Sequence, residues 1–218
     1  MTRPTHVLLD LDGTLTDSRP GIIAGYQAAL RALGHEPDPS LDLTPFIGPP
    51  MIDVATELLR RYGDTRAEEA AAAYRDYYGT TGLFEATLYD GMPACLDALR
   101  GAGLHLYVAT SKRVEFARPI LEHFGLADRF AGIYGAVSGG ALDHKPELLG
   151  HVLAEQGIAP GDAVMVGDRR YDISAAHAHG MRGIGVLWGY GTREELEQAG
   201  ANRTVATPAE LTDALLQP

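Results

Sequence analysis

The residues best equipped for chemistry come early in the chain. A short apolar run, Val7, Leu8 and Leu9, stops at Asp10, Leu11, Asp12, Gly13 and Thr14, which puts two carboxylates and a glycine where a buried strand would end. Two such acids about 4 Å apart repel by roughly 1 kcal/mol in bulk water and about 4 kcal/mol at an effective dielectric of 20, so a cation is expected between them. A strand followed by an ordinary Asx/Gly turn would give the same string. Three later sites share the layout. Leu106 to Ala109 run into Thr110, Ser111 and Lys112, a hydroxyl pair expected at a strand end and helix start, where free backbone N–H groups favour an anion and a plain N-cap is the alternative. Val164 to Val166 run into Gly167 and Asp168, with Asp172 four residues on; acids in a first helical turn are also favoured by the helix dipole. Lys145 stands directly before Pro146, where a helical pattern opens and a cation is disfavoured by up to about 1 kcal/mol. An ammonium aimed at the carboxylates explains that position better than a solvated lysine does.

Together these residues describe a divalent-cation site of oxygens from Asp10, Asp12 and Asp168, with a hydroxyl and an ammonium for a bound anion. With no neighbouring cysteine and no clear histidine cluster, such a donor set favours Mg2+ over zinc.

The elements that must bring these groups together are legible in the hydrophobic period. From Pro20 to about Ala86 the pattern is helical: Ile22, Ile23, Tyr26, Leu30 and Leu33 fall on one face, and Met51, Val54, Ala55, Leu58, Leu59 and Tyr62 repeat it. Thr65 and Glu68 predict a capping box for a third helix running through Tyr78. After Asp90 strand runs alternate with amphipathic helices, the signature of a parallel α/β sheet. Strands are predicted at Leu104 to Ala109, Gly132 to Ala136, Ala163 to Val166, Gly183 to Leu187 and Thr204 to Ala206. Thr192 with Glu195, and Thr207 with Pro208 and Glu210, predict helix starts; Pro119 is expected to kink or shorten its helix. Val7 to Leu9 has no strand partner in the helical block, so it must pair with the later strands. The expected fold is therefore α/β, a Rossmann-like doubly wound parallel sheet formed by residues 1–17 and 88–218, with an inserted all-helical domain at 18–87, which the family resemblance given below implies is a cap domain.

The whole chain bounds the partners. Its 218 residues are enough to bury a sizeable core, and a formal net charge of -11 argues against nucleic acid or an anionic membrane surface, which are held by clustered Lys and Arg. Any phosphate must be met locally. One cysteine, Cys95, permits no internal disulfide and sits in an amphipathic stretch, where a core thiol is expected. No signal-peptide h-region precedes Asp10 and no apolar run approaches membrane length, so the expected location is the cytoplasm. The expected oligomeric state is a monomer or homodimer.

In order along the chain, DLDGTLTDS at Asp10 to Ser18, the Thr110 strand end, Lys145 with Pro146, and GDRRYDI at Gly167 to Ile173 resemble the four motifs of the haloacid dehalogenase superfamily. The stretch WGYGTREEL near Trp188 resembles its phosphoglycolate-phosphatase-like branch. The resemblance implies a Mg2+-dependent phosphatase acting on small phosphorylated metabolites, in which Asp10 attacks phosphorus and Asp12 moves the proton. It further implies a metal held by Asp10, Asp168 and the Asp12 carbonyl, and phosphate held by Thr110, Lys145 and the N–H of Ser111. Asp172 would bind metal-bound water or position Lys145. Arg169 departs from the serine common in relatives. An acid at position 12 separates phosphatases and mutases from dehalogenases and ion pumps. Competing readings are a phosphomutase, a nucleoside monophosphatase, or a catalytically silent binding protein on the same fold; a receiver domain fits poorly in size and motif order. Substrate choice would reside in the cap, where Arg19, Arg60, Arg61 and the loop from Phe46 to Pro50 are candidates and solvated charge or helix packing is their ordinary role. The expected substrates are small phosphorylated acids such as 2-phosphoglycolate, then nucleoside monophosphates and sugar phosphates.

Overall fold

A computed structural model of the chain describes residues 3–137, 140 and 142–217, which fall into two compact units: Met1–Asp17 with Leu88–Pro218, and Ser18–Thr87. In chain order the strands are β1 (His6–Leu9), β2 (Thr16–Asp17), β3 (Thr87–Leu88), β4 (His105–Arg113), β5 (Gly132–Ala136), β6 (Ala163–Gly167), β7 (Arg182–Val186) and β8 (Arg203–Val205). The helices are α1 (Arg19–Ala32), α2 (Met51–Arg60), α3 (Ala67–Thr80), α4 (Met92–Gly101), α5 (Val114–His123), α6 (Lys145–Gln156), α7 (Arg170–Ala178), α8 (Arg193–Gln198) and α9 (Pro208–Leu216).

The larger unit is built on one six-stranded sheet, in the order β5-β4-β1-β6-β7-β8, with every neighbouring pair parallel. Counted by sheet strands alone, this is the 3-2-1-4-5-6 order of doubly wound nucleotide-binding folds, whose ligands sit beyond the carboxyl ends of the strands where the winding reverses. The central strand β1 pairs with β4 on one side and β6 on the other, so the three strands that lead to Asp10, Thr110 and Asp168 are immediate neighbours. Successive side chains alternate between sheet faces. Leu8 packs with Tyr107, Met165, Leu148, Leu149 and Val152 on the face covered by α6 and α7, and Val7 and Leu9 point to the opposite face. The Cys95 thiol is buried, and that burial pushes its pKa up, as for a core thiol.

The helical unit closes on its own core of Leu30, Ala55, Leu59 and Ala70, flanked by Leu33, Met51 and Tyr62. The Thr65 to Glu68 capping box is not formed. Helix α3 begins at Ala67 with Arg66 at its N-cap and no side-chain cap bond; just ahead of it the Asp64 carboxylate accepts from the backbone N–H of Arg66 at 2.9 Å. Pro119 does not end its helix, since α5 runs through it from Val114 to His123. Thr192 and Thr207 do cap α8 and α9, accepting from the N–H groups of Glu195 and Glu210 at 3.2 and 3.1 Å. Among the described residues no helix is long and apolar enough to cross a membrane.

Candidate active site

Strand β1 delivers Asp10 to the rim of the sheet, where its N–H continues the ladder onto Val166 O at 2.9 Å. The chain then folds tightly on itself. The carbonyl of Leu11 accepts from the N–H groups of Thr14, Leu15 and Thr16, and Gly13, with φ of 81°, supplies the left-handed turn that only glycine adopts without cost. The Trp188 indole N–H donates to Thr14 O at 3.0 Å and fastens this loop from the side.

Strand β6 ends on Gly167, and Asp168 and Asp172 follow at the start of α7. Gly167 is required by close approach: a Cβ there would collide with the carboxyl group of Asp172. That contact lets Asp172 lean back over the strand end, where its Oδ2 accepts the N–H of Arg169 at 3.1 Å and its Oδ1 faces inward. One carboxylate oxygen each from Asp10, Asp168 and Asp172 lies within 4.8 Å of the others, and all three residues are buried. Lys145, the first residue of α6, reaches into this group. Its Nζ lies 2.9 Å from Asp10 Oδ1 and 2.8 Å from Asp172 Oδ1, and donates to Ala109 O at 3.0 Å.

The charges do not balance. Of the three buried carboxylates, Asp10 and Asp172 share the one ammonium of Lys145, and Asp168 has no ion pair of its own beyond the more distant pull of Arg169. The imbalance registers in the acids. Burial, then the charges of Asp172 and Asp10, push the Asp168 carboxyl well above the ordinary range, and burial raises Asp172 against the pull of Lys145. Burial also opposes the Lys145 ammonium, but Asp10 and Asp172 outweigh it and hold that group charged. Asp168 Oδ2 accepts the N–H of Tyr190 at 2.7 Å, whereas its Oδ1 is buried without a hydrogen-bond partner. An unsatisfied, oxygen-only, acidic pocket of this kind fits a hard divalent cation.

Asp12 is held apart from this trio. Its Oδ1 pairs with Lys112 Nζ at 3.0 Å, both side chains being largely buried. Each of these two acids thus has a lysine beside it, Lys145 for Asp10 and Lys112 for Asp12. The expectation of a helix start at Thr110 and Ser111 is also corrected. Strand β4 continues to Arg113, with its register against β5 breaking between Thr110 and Arg113, and α5 begins only at Val114. Thr110 is buried and its Oγ1 accepts the N–H of Lys112 at 3.2 Å; Ser111 is half-buried beside it. Any anion contact here therefore belongs to a bulged strand end and owes nothing to a helix dipole. Lys112 is the residue that the sequence reading passed over. Its signal was there: two places after Thr110, it is a lysine at a strand end that also carries a buried hydroxyl.

Arg169 turns toward α8, where its Nε meets Glu195 Oε1 at 2.9 Å and Arg170 N donates to the same oxygen at 3.0 Å. It clasps two helices. In the helical unit, Arg60 pairs with Glu57 at 2.9 Å and Arg61 lies over the Phe46 ring at 5.8 Å, both on exposed or packing duty.

Comparison with known proteins agrees with this geometry. The chain is 43% identical over 196 residues to a 5'-nucleotidase of Pseudomonas aeruginosa, covering 89% of this chain and 87% of that one. It is 43% identical over 214 residues to the tyrosine-protein kinase PtkA of Mycobacterium tuberculosis, covering 97% and 71%, and 35% identical over 202 residues to a phosphoglycolate phosphatase of Neisseria meningitidis, covering 90% and 86%. A predicted phosphatase from Clostridium acetobutylicum superposes with a TM-score of 0.92 at 38% identity, each chain covered in full. Residues 7–186, which span every acid and lysine of the site, match the family described as haloacid dehalogenase-like hydrolase, and the chain belongs to that family.

Proposed function

We propose that this protein is a Mg2+-dependent phosphatase that hydrolyses small phosphate monoesters through an aspartyl-phosphate on Asp10. The observation that carries this reading is the different fate of two acids only two residues apart: Asp10 faces Lys145 within the buried acid cluster, while Asp12 stands outside it against Lys112. Paired acids in unlike surroundings are how one site divides nucleophile from acid–base catalyst.

In the proposed reaction an Asp10 carboxylate oxygen forms a bond to phosphorus, the ester P–O bond breaks, and the departing oxygen takes a proton from Asp12. Water then attacks the acyl phosphate and gives a proton to Asp12, and the bond from phosphorus to Asp10 breaks to release phosphate. Thr110, Lys145 and the N–H of Ser111 hold the phosphoryl oxygens. Asp10, Asp168 and the Asp12 carbonyl would hold Mg2+, which when bound offsets the negative charge that otherwise repels the phosphate. Asp172 holds Lys145 in place through its 2.8 Å contact.

The helical unit at 18–87 acts as the substrate-selecting cap in this reading. The higher identity to a protein named 5'-nucleotidase supports testing nucleoside 5'-monophosphates ahead of 2-phosphoglycolate as substrates. The relative named as a kinase supports a second reading, in which the phosphoryl group on Asp10 passes to a hydroxyl other than water.

The Asp10→Asn variant is expected to fold and to release no phosphate from any ester that the native chain hydrolyses with Mg2+ present. Native-level turnover in that variant would eliminate the covalent route. A panel of nucleoside monophosphates, sugar phosphates and 2-phosphoglycolate, scored for free phosphate and for transferred phosphoryl group, separates hydrolysis from transfer.

A further inference from the structure

We infer that the turn from Trp188 to Gly191 is a strap that poses the Asp168 carboxylate for a cation, so that residues outside the acid cluster set the Mg2+ affinity of the site. The inference rests on the proposed metal role of Asp168 and goes beyond it by naming the segment that positions this acid.

The turn runs from the end of β7 to α8 and on the way meets the residues just beyond β6 and β1. Its approach to Asp168 is as close as backbone allows. A Cβ on Gly189 would collide with the Cβ and Oδ2 of Asp168 and with the carbonyl of Gly13, and one on Gly191 would collide with the Asp168 carbonyl. Glycine at both positions is what lets the strap lie against the strand end. Between them the N–H of Tyr190 donates to Asp168 Oδ2 at 2.7 Å. The other oxygen, Oδ1, is buried and has no hydrogen-bond partner among the described residues. A carboxylate gripped on one oxygen by a backbone donor and left bare on the other, out of contact with water, is posed to give that second oxygen to a metal ion.

The strap is fastened at both ends. At its start the Trp188 indole N–H donates to Thr14 O at 3.0 Å, which ties it to the loop that begins at Asp10. Past its end, Glu195 of α8 is held at 2.9 Å by Arg169, the residue after Asp168. One segment therefore binds the loop beyond β1 to the end of β6. A cation shared by Asp10 and Asp168 needs those two places at a set separation, because Mg2+ accepts little departure from octahedral ligand geometry. Loosening the strap should weaken the cation before it harms the fold.

The test measures binding of Mg2+ itself, by titration calorimetry without substrate, to the native chain and to the Gly189→Ala, Trp188→Phe and Asp168→Asn variants, with urea unfolding of each in excess chelator. Groups that orient metal ligands are worth about 10- to 100-fold in metal affinity, so Gly189→Ala should bind Mg2+ at least about 10-fold more weakly than the native chain, and Trp188→Phe should weaken it in the same direction. The second variant removes the indole donor and adds no bulk, which guards against a folding failure in the first. A strap that served the fold alone would lower the metal-free unfolding midpoint and leave the affinity as it was. Native affinity in either variant that folds would overturn the inference while the metal role of Asp168 stands. If the native chain binds no Mg2+, or Asp168→Asn binds it as tightly as the native chain does, the metal role of Asp168 falls, and this inference with it.

Discussion

At the scale of single residues, the site is governed by charge held out of water. Lys145 is buried against two carboxylates, and its ammonium is the sole positive side chain contacting Asp10 and Asp172 among the contacts described. Removing one partner of a buried ion pair costs roughly 3–5 kcal/mol, because the orphaned charges remain. Lys145→Met is therefore expected to lose about that much stability in metal-free urea unfolding, together with its turnover. A loss below about 1 kcal/mol would show that the acids shed their charge when the lysine is gone. Asp10→Asn removes one charge from an overloaded cluster. It should cost activity without lowering metal-free stability, the opposite pairing of effects from a core lesion.

At the scale of elements, β1, β4 and β6 supply different chemistry but share one geometric rule: parallel neighbours end on the same rim. The first residues beyond β1 and β6 are Asp10 and Asp168, and β4 adds its bulged end with Thr110 and Lys112. In the helical unit the entrance to α3 depends on Asp64, which accepts from Arg66, from its backbone N–H and from His35 Nε2 at 2.7 Å. The Arg66 guanidinium, then His35, hold the Asp64 carboxyl well below the ordinary 3.8. A carboxyl lowered in the folded state stabilises above its unfolded value, and that contribution is lost as pH falls below it. Between pH 5 and pH 3 the native protein should accordingly lose melting temperature faster than Asp64→Asn. Parallel melting curves for the two would remove Asp64 from the account of acid sensitivity.

At the scale of the whole molecule, the excess negative charge at the rim links folding to cation binding. A ligand that binds only the folded state stabilises by about 2.7 kcal/mol at 100 times its dissociation constant. For a chain of this length that corresponds to a rise in melting temperature of roughly 5–11 °C. Saturating Mg2+ should produce such a rise, excess chelator should reverse it, and Asp168→Asn should abolish it. An unchanged melting curve would leave the three carboxylates without the partner proposed for them.

Much of this was written in local sequence. The hydrophobic period marked all six strands of the main sheet, because each is a run of apolar residues stopped by turn chemistry, and the parallel alternation limited how they could pair. The acids and Lys145 stood out because charge at a strand end or a helix start is costly without a partner. Other features could not be read there. The pairing of Asp12 with Lys112 depends on a register break between β4 and β5, and the closeness of Asp172 depends on the missing Cβ of Gly167. The contacts of Asp64 with Arg66 and with His35, the latter 29 residues away in the chain, were likewise beyond the local pattern at Thr65. Local patterns fix which groups are present and which strand end each occupies. Which charge meets which is a matter of a few ångströms, and only packing across neighbouring strands sets distances that fine.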